Sequence, residues 1–562
     1  MKGFIMKTKA LYLIAALGLV FGLNSCNLDV FPSDELNGDL LLQDAKGAEY
    51  VMDGCYALLK DEIDFLGYAS GNTYIRHYTQ MTEFPGDNTC LSSHTTDPLY
   101  EATAYMMTDG LKNVGTLWMI AYKAIYMCNT VIGALDESDP NNKQVLGEAY
   151  FMRGLLHLHL VTLYARPYSH GKDNLGVPLR TAVSSQETKR NSVGEVYDQI
   201  VADLKKAADL MGKSRGNAGY PCHDAALGLL SRVYLYMEDY ANCIAVANEI
   251  LGTNPADKIM STAEYPSYFA NAKTAKETLF CVAVELTEST GQSSTGSMYL
   301  KDGIGWGEIY PSAPLLNLYD RYPTDIRATA IFVPQIQDES VTYVWFPDPA
   351  TKDDQSGRVN LKFQVTKSGD DYTFTDGGVK YTVQKRTVNG EYTEYYVNYG
   401  GEDCAARITP KMLERNTHPV IYMNKYSYQD GDPMLSSPVM LRWAEVILNR
   451  AEAYARTGKD DKALADVNVI RKRANIPEEG MFSTGNMHGY SNAADVVMDE
   501  RRLELAFEGH RVFDVYRNKL DMDRRYPGAQ PWKIVSYNDL HIVYPIPNNE
   551  WTVSGIEQNP GY

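Results

Sequence analysis

The sequence predicts a mainly α fold: a tetratricopeptide-like scaffold of helical pairs, with long loops and a small antiparallel β insert. Three observations predict it. Apolar residues recur at helical spacing across residues 45–255 and 436–530. Two stretches within those spans carry the size pattern of stacked helix pairs. Between the spans, residues 341–399 switch to a period of two.

The chain opens on an address. Lys7 and Lys9 precede an apolar run from Ala10 to Leu23, the length of a signal-peptide core and too short to cross a bilayer. Leu23-Asn24-Ser25-Cys26 follows the pattern of a bacterial lipobox, with Asn24 in place of the usual small or β-branched residue. Residues 1–25 are therefore expected to be a lipoprotein signal peptide and Cys26 the lipidated residue, with several acyl chains anchoring the mature protein. Residues 26–562 hold no further apolar run long enough for a span. They are expected to form a single domain: helical scaffold at about 45–255 and 436–530, loop- and β-rich insert at about 256–435.

The helices follow from their stripes. Trp118, Tyr122, Ile125, Cys128, Ile132 and Leu135 share one face, as do Val145, Ala149, Met152, Leu156, Leu160 and Leu163. Ser192-Val193-Gly194-Glu195 is a capping box that opens a helix buried through Val196, Ile200, Leu204, Ala207 and Met211. His223–Pro255 reads as one tetratricopeptide-type pair, with Leu227, Leu230, Ser231 and Tyr234 on its first helix and Cys243 and Ala247 on its second. Leu441–Ala474 reads as another, through Ala451, Tyr454, Gly458, Ala463, Val467 and Ile470. Ile250 and Arg450 depart from the repeat pattern. Such pairs need about three neighbours to bury a continuous core, so other helices must complete the stack.

In the insert, Val341–Trp345 and Val359–Val365 alternate, and Asn389-Gly390 marks a hairpin. Residues 256–340 are rich in Gly, Pro, Ser and Tyr, the composition of long loops, where binding residues concentrate.

Composition narrows function. A net charge of −18 repels phosphate backbones and disfavours nucleic acid. The 41 tyrosines, against 15 Phe and 6 Trp, suggest wet, half-buried surfaces. Seven scattered cysteines besides Cys26, with no C-x-x-C pair, argue against a disulfide framework or zinc ribbon. Glu500, Glu504 and Glu508 lie at i, i+4 and i+8 among Arg501, Arg511, Asp514 and Arg517, so each carboxylate has an arginine within helical reach. This favours a structural ion-pair network over acid–base chemistry. His157 and His159 point to different helix faces and cannot share a metal. No H-E-x-x-H or G-x-S-x-G occurs, and Gly303-Ile304-Gly305-Trp306-Gly307 lacks the strand-then-helix frame of a phosphate cradle. No catalytic residue, metal or cofactor is expected.

Holding a polar ligand that has apolar C–H faces asks for flat aromatic faces beside fork-shaped polar groups. Loop aromatics with Asn, Asp and Arg neighbours rank first. One cluster is Asn72, Tyr74, Arg76 and Tyr78, continued by Asp87, Asn88 and Tyr100. A second is Trp306, Glu308 and Tyr310, whose glycine neighbours leave the Trp face open. Trp345 in the β insert is third.

The order of further motifs resembles the SusD/RagB family. After the lipobox come Gly54–Leu59, then Trp118, Tyr122-Lys123-Ala124-Ile125 and Cys128-Asn129. Gly147–Phe151 with Arg153-Gly154, and Leu175–Leu179, follow. Later stand Arg442–Val446, Asn449–Tyr454, Glu500-Arg501-Arg502, Glu504-Leu505, Phe507-Glu508-Gly509 and Arg511, then Pro545-Ile546-Pro547 and Asn559–Tyr562. The resemblance spans essentially the whole chain. It implies a non-catalytic outer-membrane lipoprotein facing the cell exterior. Such a protein captures an oligosaccharide for a SusC-like TonB-dependent transporter and touches the membrane through its lipid anchor only. Relatives of the RagB type that take peptides supply the alternative, and a surface glycosidase is the third reading.

Overall fold

The helices form where apolar stripes predict them. The computed structural model describes Leu42 and residues 45–562, apart from 93–96, 185–188, 215, 302, 304, 355–357 and 389–391. The signal segment, Cys26 and the Asn389-Gly390 turn lie outside the described residues. Helices α1 (Ala45–Ala57), α2 (Tyr74–Glu83) and the short α3 (Tyr100–Ala104) precede a run of five: α4 (Lys112–Ala134), α5 (Lys143–Tyr164), α6 (Val193–Leu210), α7 (His223–Tyr236) and α8 (Tyr240–Leu251). Each of these five packs on the next. The capping box at α6 is present on both sides: Ser192 Oγ accepts from the Glu195 N–H and the Glu195 carboxylate accepts from the Ser192 N–H.

Helices α9 (Ala313–Tyr319) and α10 (Ile326–Ile331) lie in the insert. Helices α11 (Trp443–Arg456), α12 (Asp460–Arg473), α13 (Ala493–Glu504), α14 (Arg511–Arg517) and α15 (Asn548–Val553) follow it. The two predicted helix pairs, α7–α8 and α11–α12, stack directly on each other, and α13 covers the second. Small and polar residues meet at the crossing. Asn449 Nδ2 donates to Ser231 Oγ at 3.0 Å, and the Cys243 thiol lies 3.6 Å from the Asn449 carbonyl. Arg450 departs from the repeat pattern because it is a bolt: it pairs with Asp466 (2.7 Å) and reaches Asn248 Oδ1 on α8 (2.8 Å).

Two-stranded pairs stitch the loops to this body. Strand β1 (Thr89–Leu91) pairs with β3 (Ile309–Pro311), β2 (Thr278–Cys281) with Val439–Arg442, and β4 (Phe332–Pro334) with Ile421–Met423, all antiparallel. The insert is larger than the alternation predicts. Strands β5 (Ile336–Pro347), β6 (Asn360–Gln364), β7 (Thr366–Ser368), β8 (Asp371–Asp376), β9 (Val379–Val388), β10 (Tyr392–Tyr399) and β11 (Glu402–Met412) form one antiparallel sheet in the order β6-β5-β11-β10-β9-β8-β7. Sequence reading stops short of β11 because its buried positions are small (Cys404, Ala406) and Pro410 interrupts the pattern. The register shifts beside Pro410, as a residue without an N–H requires. Val344, Phe346, Phe374, Val383 and Val397 give the sheet its own core.

The tyrosines correct an expectation. Many are fully buried, and their hydroxyls donate to main-chain carbonyls: Tyr164 to Val114, Tyr319 to Leu503, Tyr526 to Thr89 and Tyr544 to Met81, at 2.5–2.9 Å. A ring that fills volume and a hydroxyl that satisfies a carbonyl outside regular structure suit an interior threaded by loops.

The carboxylates of the Glu500 block are buried in ion pairs, but not with the expected neighbours. Glu500 is held by Arg327 (2.6 Å) and Arg471 (3.0 Å), and Glu504 by Arg442 (2.6 Å), Arg327 (3.3 Å) and Arg473. Glu508 is held by Arg442 and Lys425, both at 2.7 Å. These cations come from α10, α12, the strand before α11 and a loop, so the block locks distant segments together. Asp514 takes Arg501 and Arg517, and Glu452 takes Arg517. Among the described residues no helix is long and apolar enough to cross a membrane.

Candidate functional site

Strand β1 is the organising element. Its approach is pinned by Asp87, whose carboxylate takes a bidentate contact from Arg511 (2.7 and 2.8 Å), and by Asn88 Oδ1, which accepts from Arg502 Nε (2.8 Å). Burial would raise the Asp87 carboxyl, but Arg502 and Arg511 outweigh it and hold it below the usual range. On one edge β1 pairs with β3, Leu91 opposite Ile309 and Cys90 opposite Tyr310. On the other, the Leu91 carbonyl accepts from the Ala529 N–H at 2.9 Å.

The β3 edge carries Trp306. Its main chain donates to the Ser297 carbonyl (2.6 Å), its indole N–H faces the Gln292 carbonyl (3.3 Å), and Arg415 grips its carbonyl (2.8 Å). Arg415 also pairs with Glu308 at 3.2 Å. Gly305 must be glycine: a Cβ there would lie 1.8 Å from the Leu300 carbonyl oxygen. The Trp306 side chain is thus fixed by its backbone, yet the residue is 47% exposed.

The Ala529 edge borders a cleft of about 510 Å³. Tyr100, Met106, Arg358 and Lys533 line it with Glu101 and Asp354. The Tyr100 hydroxyl lies 3.3 Å from the Ala529 carbonyl, which sets its ring at the wall, and Met106 is 53% exposed. Arg358 donates through Nη2 to the Lys352 carbonyl (2.9 Å), while its Nε is buried with no partner among the described residues. The cleft thus offers an aromatic wall, a soft thioether and underused N–H donors. It suits holding a polar ligand that has apolar C–H faces.

The other expected residues are placed elsewhere. Asn72 donates to the Ile63 and Tyr68 carbonyls and accepts from His77, pinning the turn before α2. Tyr74 is buried, its hydroxyl 2.9 Å from His159 Nδ1. Arg76 reaches inward to the Gln292 carbonyl (3.0 Å) and pairs with Asp97 (3.5 Å). Tyr310 is buried and stacked on His418. Trp345 is 1% exposed, its indole donating to Thr409 Oγ1 at 2.7 Å. These five, with Asp87 and Asn88, are committed to partners within the fold. Tyr100, though only 8% exposed, lines the cleft, and Trp306 stands exposed in the loop before β3. Met106, Arg358 and Lys533 escaped sequence reading. The Pro527-Gly528 turn beside Trp532 and Lys533, a loop with aromatic and basic residues, was the signal available for the last.

The fold and site define a class: a helical-repeat scaffold presenting a loop-built cleft, the architecture of a binding protein. The model of the SusD family matches residues 276–562, just over half of the sequence, and that of a family described as "Starch-binding associating with outer membrane" matches residues 58–235. The chain belongs to the SusD family. Among curated relatives, SusD-like protein P2 of Formosa agariphila is 24% identical over 475 residues, covering 82% of this chain and 83% of that protein. SusD-like protein P38 of the same organism is 20% identical over 519 residues, 88% of each. Among solved structures, a SusD superfamily protein of Bacteroides thetaiotaomicron superposes with a TM-score of 0.70 at 24% identity, covering 92% of this chain and all of that one. A putative sugar binding protein of Bacteroides vulgatus gives 0.65 at 23%, covering 92% and 98%. These likenesses show the fold.

Proposed function

We propose that the protein is an outer-membrane lipoprotein, anchored through Cys26 after removal of residues 1–25. On this reading residues 26–562 form a single domain that faces the cell exterior. It binds an oligosaccharide at the β1 cleft and hands it to a SusC-like TonB-dependent transporter without altering any bond. The observation that carries this reading is the cleft of about 510 Å³, with Tyr100, Met106 and Arg358 on its walls and the exposed Trp306 held in the loop before β3. A pyranose lays its C–H face on such side chains and offers its hydroxyls to guanidinium and carbonyl groups. The description of the amino-terminal family match and the printed name of the B. vulgatus structure support a carbohydrate ligand.

Calorimetry of the mature chain against panels of polysaccharides and peptides tests this. An oligosaccharide is expected to bind, and Tyr100→Ala to abolish the binding. Trp306→Ala is expected to weaken it about tenfold, or about 1.4 kcal/mol, with the melting temperature unchanged because the exposed ring carries little packing. An unchanged affinity removes Trp306 from the site. Binding of peptides alone would replace the oligosaccharide by a peptide, and release of shortened products in the same cell would make the protein an enzyme.

A further inference from the structure

Three cations converge on the cleft. Arg358 and Lys533 line it, and the fully buried Arg524 acts electrostatically on both. The Arg524 N–H donates to the Lys533 carbonyl at 3.0 Å, and Arg524 Nη1 donates to the Thr103 carbonyl at 3.0 Å, in the helix that carries Tyr100. Their hydrogen bonds go to main-chain carbonyls, Lys352 for Arg358, Ala104 for Lys533 (2.9 Å), and Phe84 and Thr103 for Arg524, and the Tyr105 ring lies 5.4 Å from Lys533 Nζ and 5.9 Å from the Arg524 guanidinium. Carbonyls satisfy donors but leave the charge standing. The Nε atoms of Arg358 and Arg524 are also buried without partners among the described residues. Elsewhere the protein neutralises its buried arginines with carboxylates, as around Glu504 and Asp514. Here it does not.

The carboxylates of the cleft sit differently. Glu101 and Asp354 are exposed, whereas Arg358 and Lys533 are partly buried. The inner wall is therefore cationic and the outer rim acidic, in a chain whose net charge is −18. Burial brings the Arg358 guanidinium down to about 10, with Tyr100 pulling upward, Arg524 adding to the fall, and Asp353 and Asp354 opposing it. Burial likewise lowers the Lys533 ammonium, Asp539 opposing and Arg524 adding. Both shifts mark cations whose burial outweighs the pull of the carboxylates around them.

We propose that the cleft takes an acidic oligosaccharide, its carboxylate or sulfate group seated on Arg358 and Lys533 and its sugar face on Tyr100. This rests on the cleft being the oligosaccharide site. A guanidinium fork with free N–H groups recognises a planar carboxylate or a sulfate edge. A partly buried contact is screened less by salt than a surface one. The rim carboxylates then meet hydroxyls rather than the anion.

The test uses the full mature chain and an array of uronate-containing and sulfated oligosaccharides. Each is paired with its neutral counterpart, made by carboxyl reduction or desulfation. An acidic member is expected to bind at least tenfold more tightly than its neutral partner, with an affinity that falls as salt rises. Arg358→Gln is expected to erase that preference, lowering the acidic member's affinity at least tenfold more than the neutral partner's. Lys533→Gln gives a second, smaller loss, and the preference of the unaltered chain stands as a measurement if either variant fails to fold. Equal binding of charged and neutral partners would overturn the anion assignment and leave oligosaccharide binding intact. Binding of no oligosaccharide, or of peptides only, would overturn the underlying reading and this one with it.

Discussion

Replacing Arg442 with methionine is expected to cost about 3–5 kcal/mol of stability at neutral pH, the range for removing one partner from a buried ion cluster. All five guanidinium N–H groups are used. Nε and one Nη2 hydrogen go to Glu508 (2.7 and 2.8 Å), Nη1 goes to Glu277 (2.7 Å) and Glu504 (2.6 Å), and the second Nη2 hydrogen goes to the Glu504 carbonyl (2.6 Å). Methionine fills part of the volume and leaves three carboxylates short of a counter-charge where none can reach water. The pH dependence identifies the cause. Burial alone would raise the Glu508 carboxyl, but Arg442 and Lys425 hold it at about 2, against an ordinary value near 4.5. The stability it contributes is therefore present above 4.5 and is lost as pH falls through 2. Without Arg442 the orphaned carboxyls take up protons at higher pH. The penalty measured by urea denaturation should be largest near pH 7 and shrink toward pH 4. A penalty constant across that range would mean that the carboxylates do not depend on Arg442.

The same cluster explains what the sequence makes legible. The residues that carry the family resemblance late in the chain are those of the buried network. Glu508 holds Arg442 and Arg511 holds Asp87, while Gly509 (φ +77°) turns its N–H toward Glu83. Such residues announce a fold because every partner is a specific side chain. Their partners stay hidden, since Arg327, Arg442 and Arg473 reach Glu504 from segments that no helical spacing connects to it. The helices were legible because one-sided burial imposes a repeat on the chain. The cleft obeys no such repeat. It is assembled from α3, the segment at Arg358 and the turn at Ala529, brought together by β1 and by the Tyr100–Ala529 contact. Trp306 could be picked out from its glycines. Trp345 could not be rejected, because alternation shows that a strand has two faces and not that both are covered, as Val344, Trp345 and Phe346 are here.

Glu83→Gln is expected to stabilise the protein in alkali, the opposite sign from the Arg442 variant. Glu83 closes α2 and is buried. Its Oε1 accepts from the Gly509 N–H at 2.7 Å, and its Oε2 has no partner among the described residues. Burial raises its carboxyl to about 8, against pulls downward from the Gly509 N–H and Lys425, with Glu508 and Asp87 adding to the rise. Lys425 cannot do more, because it already bonds Glu508 (2.7 Å) and the Ala506 carbonyl (2.5 Å). Between pH 4.5 and 8 the native state holds a proton that the unfolded chain has released. The contribution of Glu83 is therefore fully present below 4.5 and is lost as pH rises through 8. Glutamine keeps the acceptor for Gly509 and resembles the protonated acid. The variant should match the parent near pH 5 and exceed it by on the order of 3 kcal/mol at pH 9, so that its stability changes less with pH. Stability curves that run parallel from pH 5 to 9 would mean that Glu83 is ionised in the native state and compensated by a cation other than Lys425.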